Sequence, residues 1–183
     1  MNKKNNIIAL GLDLSLTGTG VVVLEDGKII SQELIKSKPV PDGKPRDEVE
    51  RIREIVNKIE ITVDEFSPDI AVIEGLAFMV RNATALVQLS ALNYMTRAML
   101  MDHNVPFIIV APTSLKKFIT GNGASKKDVI LIELYKRWGV TILDDNEADA
   151  YGLSQIGLAL KDGNSKVCTK LQEEVLSLLK KQL

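Results

Sequence analysis

Residues 7–20 read IIALGLDLSLTGTG, and this stretch decides the fold predicted for the 183-residue chain. Its apolar and small residues alternate as in a largely buried β-strand, and a turn rich in Gly and Thr follows. A second strand is predicted at 19–25 (TGVVVLE). The dipeptide Asp26-Gly27 is typical of a hairpin turn and leads into a third strand at 28–37 (KIISQELIKS). We therefore expect the chain to open with three consecutive strands.

Helical spacing of apolar residues dominates the rest of the chain, interrupted by two short apolar strands. The loop at 39–45 is rich in Pro and Gly, and Asp47 is the expected N-cap of the helix that follows and ends at Ser67-Pro68. Further strands are predicted at 69–75 and 105–112, and further helices at 83–103, 113–119, 125–138, 146–160 and 167–183. We expect one domain over residues 1–183, of α/β class, with a mixed sheet flanked by helices and a C-terminal tail helix at about 167–183.

The composition restricts the chemistry that the protein can perform. The single Cys168 excludes an internal disulfide and a thiolate zinc site, and the single His103 excludes histidine-rich metal sites. A bound divalent metal would therefore be held by oxygen ligands, which favours magnesium, manganese or calcium. The net charge of −1 leaves nucleic acid undecided as a partner. No apolar run has the length of a membrane span and the start, MNKKNN, is unlike a signal peptide, so we expect a cytoplasmic protein without a membrane partner.

Two carboxylates end two of the apolar strands. Asp13 follows IIALGL, and Glu74 follows AVI. Burial of an unpaired carboxylate is costly, so each acid needs a cation, a partner or access to solvent. The simpler explanation is that each acid lies at an exposed strand end, where Asp13 caps the following turn. Because neighbouring strands lie about 4.8 Å apart, the two acids could instead ligate the same ions.

A third group of acids lies at 144–149 (DDNEAD), where a helix is predicted to start. Asp144 or Asp145 is a plausible N-cap, and acids favour a helix N-terminus, so part of the group has a structural explanation. Asp149 lies deeper in the helix, among apolar residues and on the same face as Asp145 and Asn146. Three acids from separate elements fit a site with one or two magnesium ions for phosphodiester hydrolysis.

A basic segment precedes the third group of acids. Lys116 and Lys117 lie in a short predicted helix, and Lys126 and Lys127 lie at the start of the next. Positive charge in the first turn of a helix opposes the helix dipole, and a bound phosphate would offset that penalty. The alternatives are a solvated lysine face for each pair and a capping box within 125–128 (SKKD).

The loop after Glu74 carries Phe78 beside Arg81. Aromatic faces stack on unpaired bases, so both residues are candidates for contact with DNA. The alternative is a phenylalanine that packs in the core or in a subunit interface.

Together these motifs resemble the RuvC family of Holliday junction resolvases, and in particular its short phage-type members. The resemblance implies an RNase H-like fold, a homodimer, magnesium or manganese as the cofactor, and paired nicks across a four-way DNA junction. It therefore implies a metal-dependent endonuclease that resolves Holliday junctions and related branched DNA. The matching segments are 11–24 (GLDLSLTGTGVVVL), 68–83 (PDIAVIEGLAFMVRNA), 110–130 (VAPTSLKKFITGNGASKKDVI) and 146–154 (NEADAYGLS), in the order of the family.

The resemblance also implies roles for individual residues. Lys116 matches a basic residue that assists catalysis, and Lys126 or Lys127 matches a second one. Phe78 resembles an aromatic residue that enters the centre of the junction, in a loop that is one residue longer here. The acids of the family fall at Asp13, Glu74 and Asp149.

One position departs from the family pattern. Three residues before the last acid, where family members carry Asp or His, this chain has Asn146. An amide oxygen can still coordinate magnesium, but it brings no charge. Asp145 is the alternative fourth ligand.

Two other functions are compatible with the sequence. An actin-like phosphotransferase also opens with an acid-bearing strand and a Gly/Thr turn, but it needs two such domains to enclose a nucleotide. A non-catalytic DNA-binding module of the same fold is the second alternative, and Asn146 favours it. The long apolar helix at 83–103 fits burial in the core and a dimer interface equally well.

Overall fold

A computed structural model describes residues 6–40, 44–76, 83–162 and 169–183. The strands in these ranges are β1 (Ile8–Asp13), β2 (Gly18–Glu25), β3 (Lys28–Lys36), β4 (Ile70–Glu74) and β5 (Phe107–Val110). The helices are α1 (Pro45–Phe66), α2 (Ala83–Asp102), α3 (Pro112–Thr120), α4 (Lys127–Trp138), α5 (Asp145–Lys161) and α6 (Lys170–Leu179), followed by a 3-10 turn at Lys180–Gln182.

The strands form one mixed sheet in the order β3-β2-β1-β4-β5. β2 pairs antiparallel with β1 and with β3, whereas β4 lies parallel to β1 and β5 lies parallel to β4. The predicted fold class, three antiparallel strands followed by parallel strands and flanked by helices, is confirmed. Leu12 of β1 is in register with Ile73 of β4, so these two strands end side by side at Asp13 and Glu74.

Side chains along each strand alternate between the two faces of the sheet. Both faces carry buried apolar side chains, and helices cover both. Helices α1 and α2 pack on one face, together with Leu10 and Leu12. Helices α3, α4, α5 and α6 pack on the other face, together with Ala9 and Val72. Asp13 lies four residues after Ala9, and Glu74 lies two residues after Val72. The alternation therefore places both acids on the face covered by α5.

Helix α5 contacts the backbone of β1 and β2 through two glycines. A Cβ atom at Gly11 would lie 1.9 Å from the carbonyl oxygen of Ala150, and one at Gly20 would lie 2.1 Å from that of Asn146. Any side chain at either position would push the helix away from the sheet. Glycine at both positions therefore allows α5 to lie close to the strand that ends at Asp13.

Helices α1 and α3 begin earlier than predicted, each at a proline. Helix α1 begins at Pro45 with Lys44 as its N-cap, so the prediction of Asp47 as the N-cap was wrong. Helix α3 likewise begins at Pro112, although we predicted that Pro112 would end the preceding strand. In both cases proline occupies the first helical position, where its fixed φ suits the helix and its missing N–H costs no hydrogen bond.

Helix α4 begins later than predicted, at Lys127 rather than Ser125. Its N-cap is Lys126, so only Lys127 of this pair lies in the first turn. The Oγ atom of Ser125 lies 2.7 Å from Oγ1 of Thr120, at the end of α3, instead of capping α4. The capping box considered for 125–128 is therefore wrong, because a tertiary contact takes the serine hydroxyl.

Helix α2 is apolar on more than one side. Its buried side chains include Leu92, Met99 and Leu100, and its exposed apolar side chains include Val87, Tyr94 and Met101. None of the helices in the described ranges, α2 included, has the length and apolarity needed to cross a membrane.

Replacement of Gly11 by Ala will test the close approach of α5. The added Cβ would collide with a backbone carbonyl, which cannot rotate away, so we expect the free energy of unfolding to fall by about 3 kcal/mol. Gly157→Ala is the control, since its Cβ would meet only side-chain atoms, at 3.1–3.2 Å. Urea unfolding of the two variants measures the difference, and equal losses would contradict the role assigned to Gly11.

Candidate active site

Asp13 and Glu74 come into direct contact at the ends of β1 and β4. The strands are parallel neighbours, and the two carboxyl groups share a side-chain hydrogen bond. Asp13 is only 8% exposed. The ends of β1 and β4 therefore bring two acidic groups together.

Burial and mutual repulsion raise the pKa values of both acids. Burial, and then the charge of Asp149, raise the pKa of Asp13 to about 7. Burial, and then the charges of Asp13 and Asp149, raise the pKa of Glu74 to about 8. Carboxylates in this situation release their protons when a cation binds, because the cation stabilises their charged forms.

Asp149 approaches the pair from α5. The side chain of Asp144 caps this helix by accepting hydrogen bonds from two backbone N–H groups of the first turn, at 2.9 and 3.3 Å. Of the two N-caps that the sequence allowed, Asp144 is the one used. Burial raises the pKa of Asp149 to about 6, against the opposing charges of Lys127 and Lys116.

Lys116 and Lys127 are the lysines that act on the acids. Lys116 lies in α3 and stabilises the charged forms of Glu74 and Asp149. Lys127, the first residue of α4, does the same for Asp13 and Asp149. The sequence left open whether Lys126 or Lys127 belongs to this group. The effect of the Lys127 charge on Asp13 and Asp149 favours Lys127.

Lys117 and Lys126 lie differently. The Nζ atom of Lys117 is 2.9 Å from Oε2 of Glu174, so this lysine joins α3 to α6. Lys126 is the exposed N-cap residue of α4, directly before Lys127. Lys117 therefore has a structural contact, whereas the side chain of Lys126 is exposed to solvent.

The two candidates for a fourth metal ligand are both engaged by neighbouring groups. Nδ2 of Asn146 donates to the carbonyl oxygen of Gly18 at 2.7 Å, which fixes the side-chain amide through its nitrogen. Metal ligation by Asn146 would therefore use its Oδ1 atom. Oδ2 of Asp145 lies 2.9 Å from Nζ of Lys127, so this carboxylate is paired with a cation of the chain itself.

The donor set of the site fits a hard divalent cation. Its carboxylate and amide oxygens are the ligands that such cations prefer, and three acids with raised pKa values would be stabilised by added positive charge. Among the described residues, no three Asp, Glu, His or Cys side chains are grouped so that they could hold a metal ion as they stand. Asp13 and Glu74 lie side by side, whereas Asp149 acts on the pKa values of both through its charge.

Two of the predicted DNA contacts, Phe78 and Arg81, lie outside the described residues. The sequence analysis missed the role of Gly11 and Gly20, which allow α5 to bring Asp149 to the sheet. A signal for them was present, because glycine inside an apolar strand often marks a close approach of another backbone.

Residues 9–144 match the family model for crossover junction endodeoxyribonuclease RuvC. The chain belongs to the RuvC family. The matched range includes Asp13, Glu74, Lys116 and Lys127, and it ends before Asp149. Nucleases of the RuvC family depend on divalent metal ions.

Curated relatives carry the same family name. The crossover junction endodeoxyribonuclease RuvC of Brachyspira hyodysenteriae is 25% identical over 148 residues, which cover 81% of this chain and 91% of the relative. The RuvC of Rickettsia bellii is 27% identical over 163 residues, which cover 85% of this chain and 99% of the relative. The likeness therefore extends over nearly the whole length of these two enzymes.

Solved structures of resolvases share the fold. Thermus thermophilus RuvC in complex with a Holliday junction substrate matches with a TM-score of 0.71 and 18% identity, over 88% of this chain and 99% of that chain. The yeast mitochondrial Holliday junction resolvase matches with a TM-score of 0.58 and 13% identity, over 94% and 81%. At these identities the likeness establishes the RuvC fold.

The raised pKa values predict that the metal-free protein loses stability as the pH rises. In the unfolded chain such acids ionise near pH 4, whereas in the folded chain they keep their protons until about pH 6 to 8. The folded state therefore binds more protons between these limits, and its stability falls across that window. We expect the melting temperature without metal to fall by on the order of 5 °C from about pH 5 to about pH 8.5.

The control for this measurement is Glu74→Gln, which removes one titrating group of the pair and should weaken the dependence on pH. Addition of magnesium should raise the melting temperature most at the alkaline end, where the acids bind it without releasing protons. A melting temperature of the metal-free protein that rises with pH would contradict the assignment of raised pKa values.

Proposed function

We propose that this member of the RuvC family is a metal-dependent, structure-specific endonuclease that cuts Holliday junctions and related branched DNA by phosphodiester hydrolysis. The observation that carries the proposal is the contact between the carboxyl groups of Asp13 and Glu74. Asp149, Lys116 and Lys127 act on the same pair from three different helices. Perturbed carboxyl groups concentrated in this way are typical of a catalytic site rather than of a structural surface.

We infer that magnesium is the cofactor and that manganese can substitute for it. Asp13, Glu74 and Asp149 would hold the metal, with Oδ1 of Asn146 or the carboxylate of Asp145 as a further ligand. Bound there, the metal would supply Lewis-acid activation of water and phosphate. The acids themselves contribute by giving up their protons to bind it, and by keeping the ligand oxygens fixed on a packed sheet.

The lysines are placed to receive the phosphate. Lys116 and Lys127 approach the acids from α3 and α4, so a phosphate beside the acids would meet two ammonium groups and the N-terminus of α4. Lys116 would offset the negative charge that develops on the phosphate during cleavage. We propose that Lys126, Phe78 and Arg81 also contact the DNA.

A non-catalytic module that binds branched DNA is the main alternative. Asn146 favours this alternative, because it carries no charge and its amide nitrogen is held by Gly18. The acid pair favours the nuclease, because a buried and a partly buried carboxyl group side by side cost stability and a scaffold would gain nothing from them. Cutting of a supercoiled plasmid that extrudes a cruciform separates the two functions.

We expect Asp13→Asn to abolish cutting of the cruciform plasmid in magnesium, because the amide keeps the shape of the side chain and removes its charge. Binding of a synthetic four-way junction should stay within about twofold of the unsubstituted protein, since phosphate contacts by lysines provide most of the affinity. Asp102→Asn is the control, as Asp102 is an exposed aspartate at the end of α2. Normal cutting by the Asp13 variant would refute the proposed site, and binding without cutting by the unsubstituted protein would favour the scaffold.

We also infer that the protein acts as a homodimer through α2. The exposed apolar side chains Val87, Tyr94 and Met101 recur every seven residues and are 68%, 65% and 66% exposed. Residues seven apart lie on one stripe of a helix, and an apolar stripe of this kind is suited to packing against a second helix. Two copies of the active site would then be available for paired nicks across one junction.

Tyr94→Glu should convert the dimer into a monomer, because it places a charge in the middle of the apolar stripe on α2. Tyr135→Glu on α4 is a matched control, since that tyrosine is 63% exposed and Tyr94 is 65% exposed. Light scattering coupled to size-exclusion chromatography gives the mass of each variant. A monomeric unsubstituted protein, or a dimer that survives Tyr94→Glu, would refute the interface.

A further inference from the structure

The C-terminal segment 169–183 contacts the open edge of the sheet through the side chain of Gln182. β5 is an edge strand, which pairs with β4 on one side. The carbonyl oxygens of Pro106 and Val110 accept hydrogen bonds from β4 and the residue after it. By the alternation of a strand, the backbone groups of Ile109 are directed to the other side, where they need partners from outside the sheet.

The side-chain amide of Gln182 forms two hydrogen bonds with the backbone of Ile109, as the backbone of a neighbouring strand would. The N–H group of Ile109 donates to Oε1 of Gln182 at 2.9 Å, and Nε2 of Gln182 donates to the carbonyl oxygen of Ile109 at 2.9 Å. A carboxamide offers a donor and an acceptor in the same arrangement as a peptide group. Glutamate at this position would keep the acceptor and lose the donor.

Helix α6, in the same segment, contacts α3 at two points. Oε2 of Glu174 lies 2.9 Å from Nζ of Lys117. Leu171 lies against Gly121, the C-cap residue of α3, where an added Cβ would be 3.3 Å from its Cδ1 atom. Between these points the two helices share a buried apolar cluster, to which α3 contributes Leu115, Phe118 and Ile119 and α6 contributes Val175, Leu176 and Leu179.

Strand β5 and helix α3, which this segment contacts, are consecutive in the chain, and Lys116 lies in α3. Val110 ends β5 and Pro112 begins α3, so one residue, Ala111, separates strand and helix. Val110 is also the register partner of Glu74 in β4. A displacement of β5 or α3 would therefore change the distance between Lys116 and the acid that it stabilises.

We propose that residues 169–183 form a clamp that positions Lys116 against the acid pair, with Gln182 and Glu174 as positioning residues. Gln182 fixes the strand before α3, and Glu174 fixes α3 through Lys117, the neighbour of Lys116. The effect of the clamp on cutting rests on the proposed nuclease function. Its effect on the edge of the sheet does not, so the two are tested separately.

Hydrogen exchange tests the clamp itself. In Gln182→Ala and in Gln182→Glu, the amide of Ile109 should exchange at least about tenfold faster, because its acceptor or the paired donor is lost. Leu178→Ala is the control, since this α6 residue is 64% exposed. Unchanged exchange at Ile109 in both Gln182 variants would overturn the proposal, whether or not the protein cuts DNA.

Single-turnover cleavage of a four-way junction tests the consequence. We expect Gln182→Ala to lower the cleavage rate by about fivefold and to leave the affinity for the junction unchanged, since a displaced Lys116 loses transition-state stabilisation. In the Lys116→Ala background the same substitution should have no further effect, because the residue that it positions is gone. An equal loss in both backgrounds would overturn the link between Gln182 and Lys116. If the unsubstituted protein does not cut, the proposed function fails, and the exchange at Ile109 still decides the clamp.

Discussion

The contact between α5 and the sheet is the constraint on which the candidate active site depends. Asp13 and Glu74 are neighbours because β1 and β4 are parallel and in register, but Asp149 comes from a helix on top of them. The backbone of α5 reaches β1 and β2 because Gly11 and Gly20 present no side chain to it. Side chains at these two positions would push α5, and Asp149 with it, away from the pair. The site therefore follows from a backbone contact as much as from the acids themselves.

This arrangement costs stability in the absence of a cation. Burial and repulsion raise the pKa of each acid, so the folded chain keeps protons that the unfolded chain would release. The two apolar clusters on either side of the sheet provide the stability that offsets this cost. Lys116 and Lys127 lower this cost, because their positive charges stabilise the charged forms of the acids. The negative charge that remains uncompensated favours the binding of a cation that can replace the protons.

The sequence was sufficient for the strands and for the acids on them, since alternation and helical spacing are local properties of the chain. An acid at the end of an apolar strand is visible without a structure, and so Asp13 and Glu74 could be paired in advance. The choice between Lys126 and Lys127 could not be made, because the start of α4 depends on the contact of Ser125 with Thr120. The pairing of Lys127 with Asp145 depends likewise on how α4 packs beside α5. Such details follow from tertiary packing, for which a single sequence carries no direct signal.

The acidic and the basic sides of the site are held by different means, and this difference matters for the chemistry. Two of the three acids, Asp13 and Glu74, lie on strands in the middle of the sheet, where hydrogen-bond register on both sides fixes them. Lys116 lies on α3, which follows the edge strand β5. β5 pairs with a strand on one side only, and the C-terminal segment provides further contacts to β5 and α3. Electrostatic stabilisation of a developing charge requires a preorganised partner, because a mobile ammonium group loses the advantage over water. Contacts at the edge of the sheet can therefore control a step that takes place at its centre.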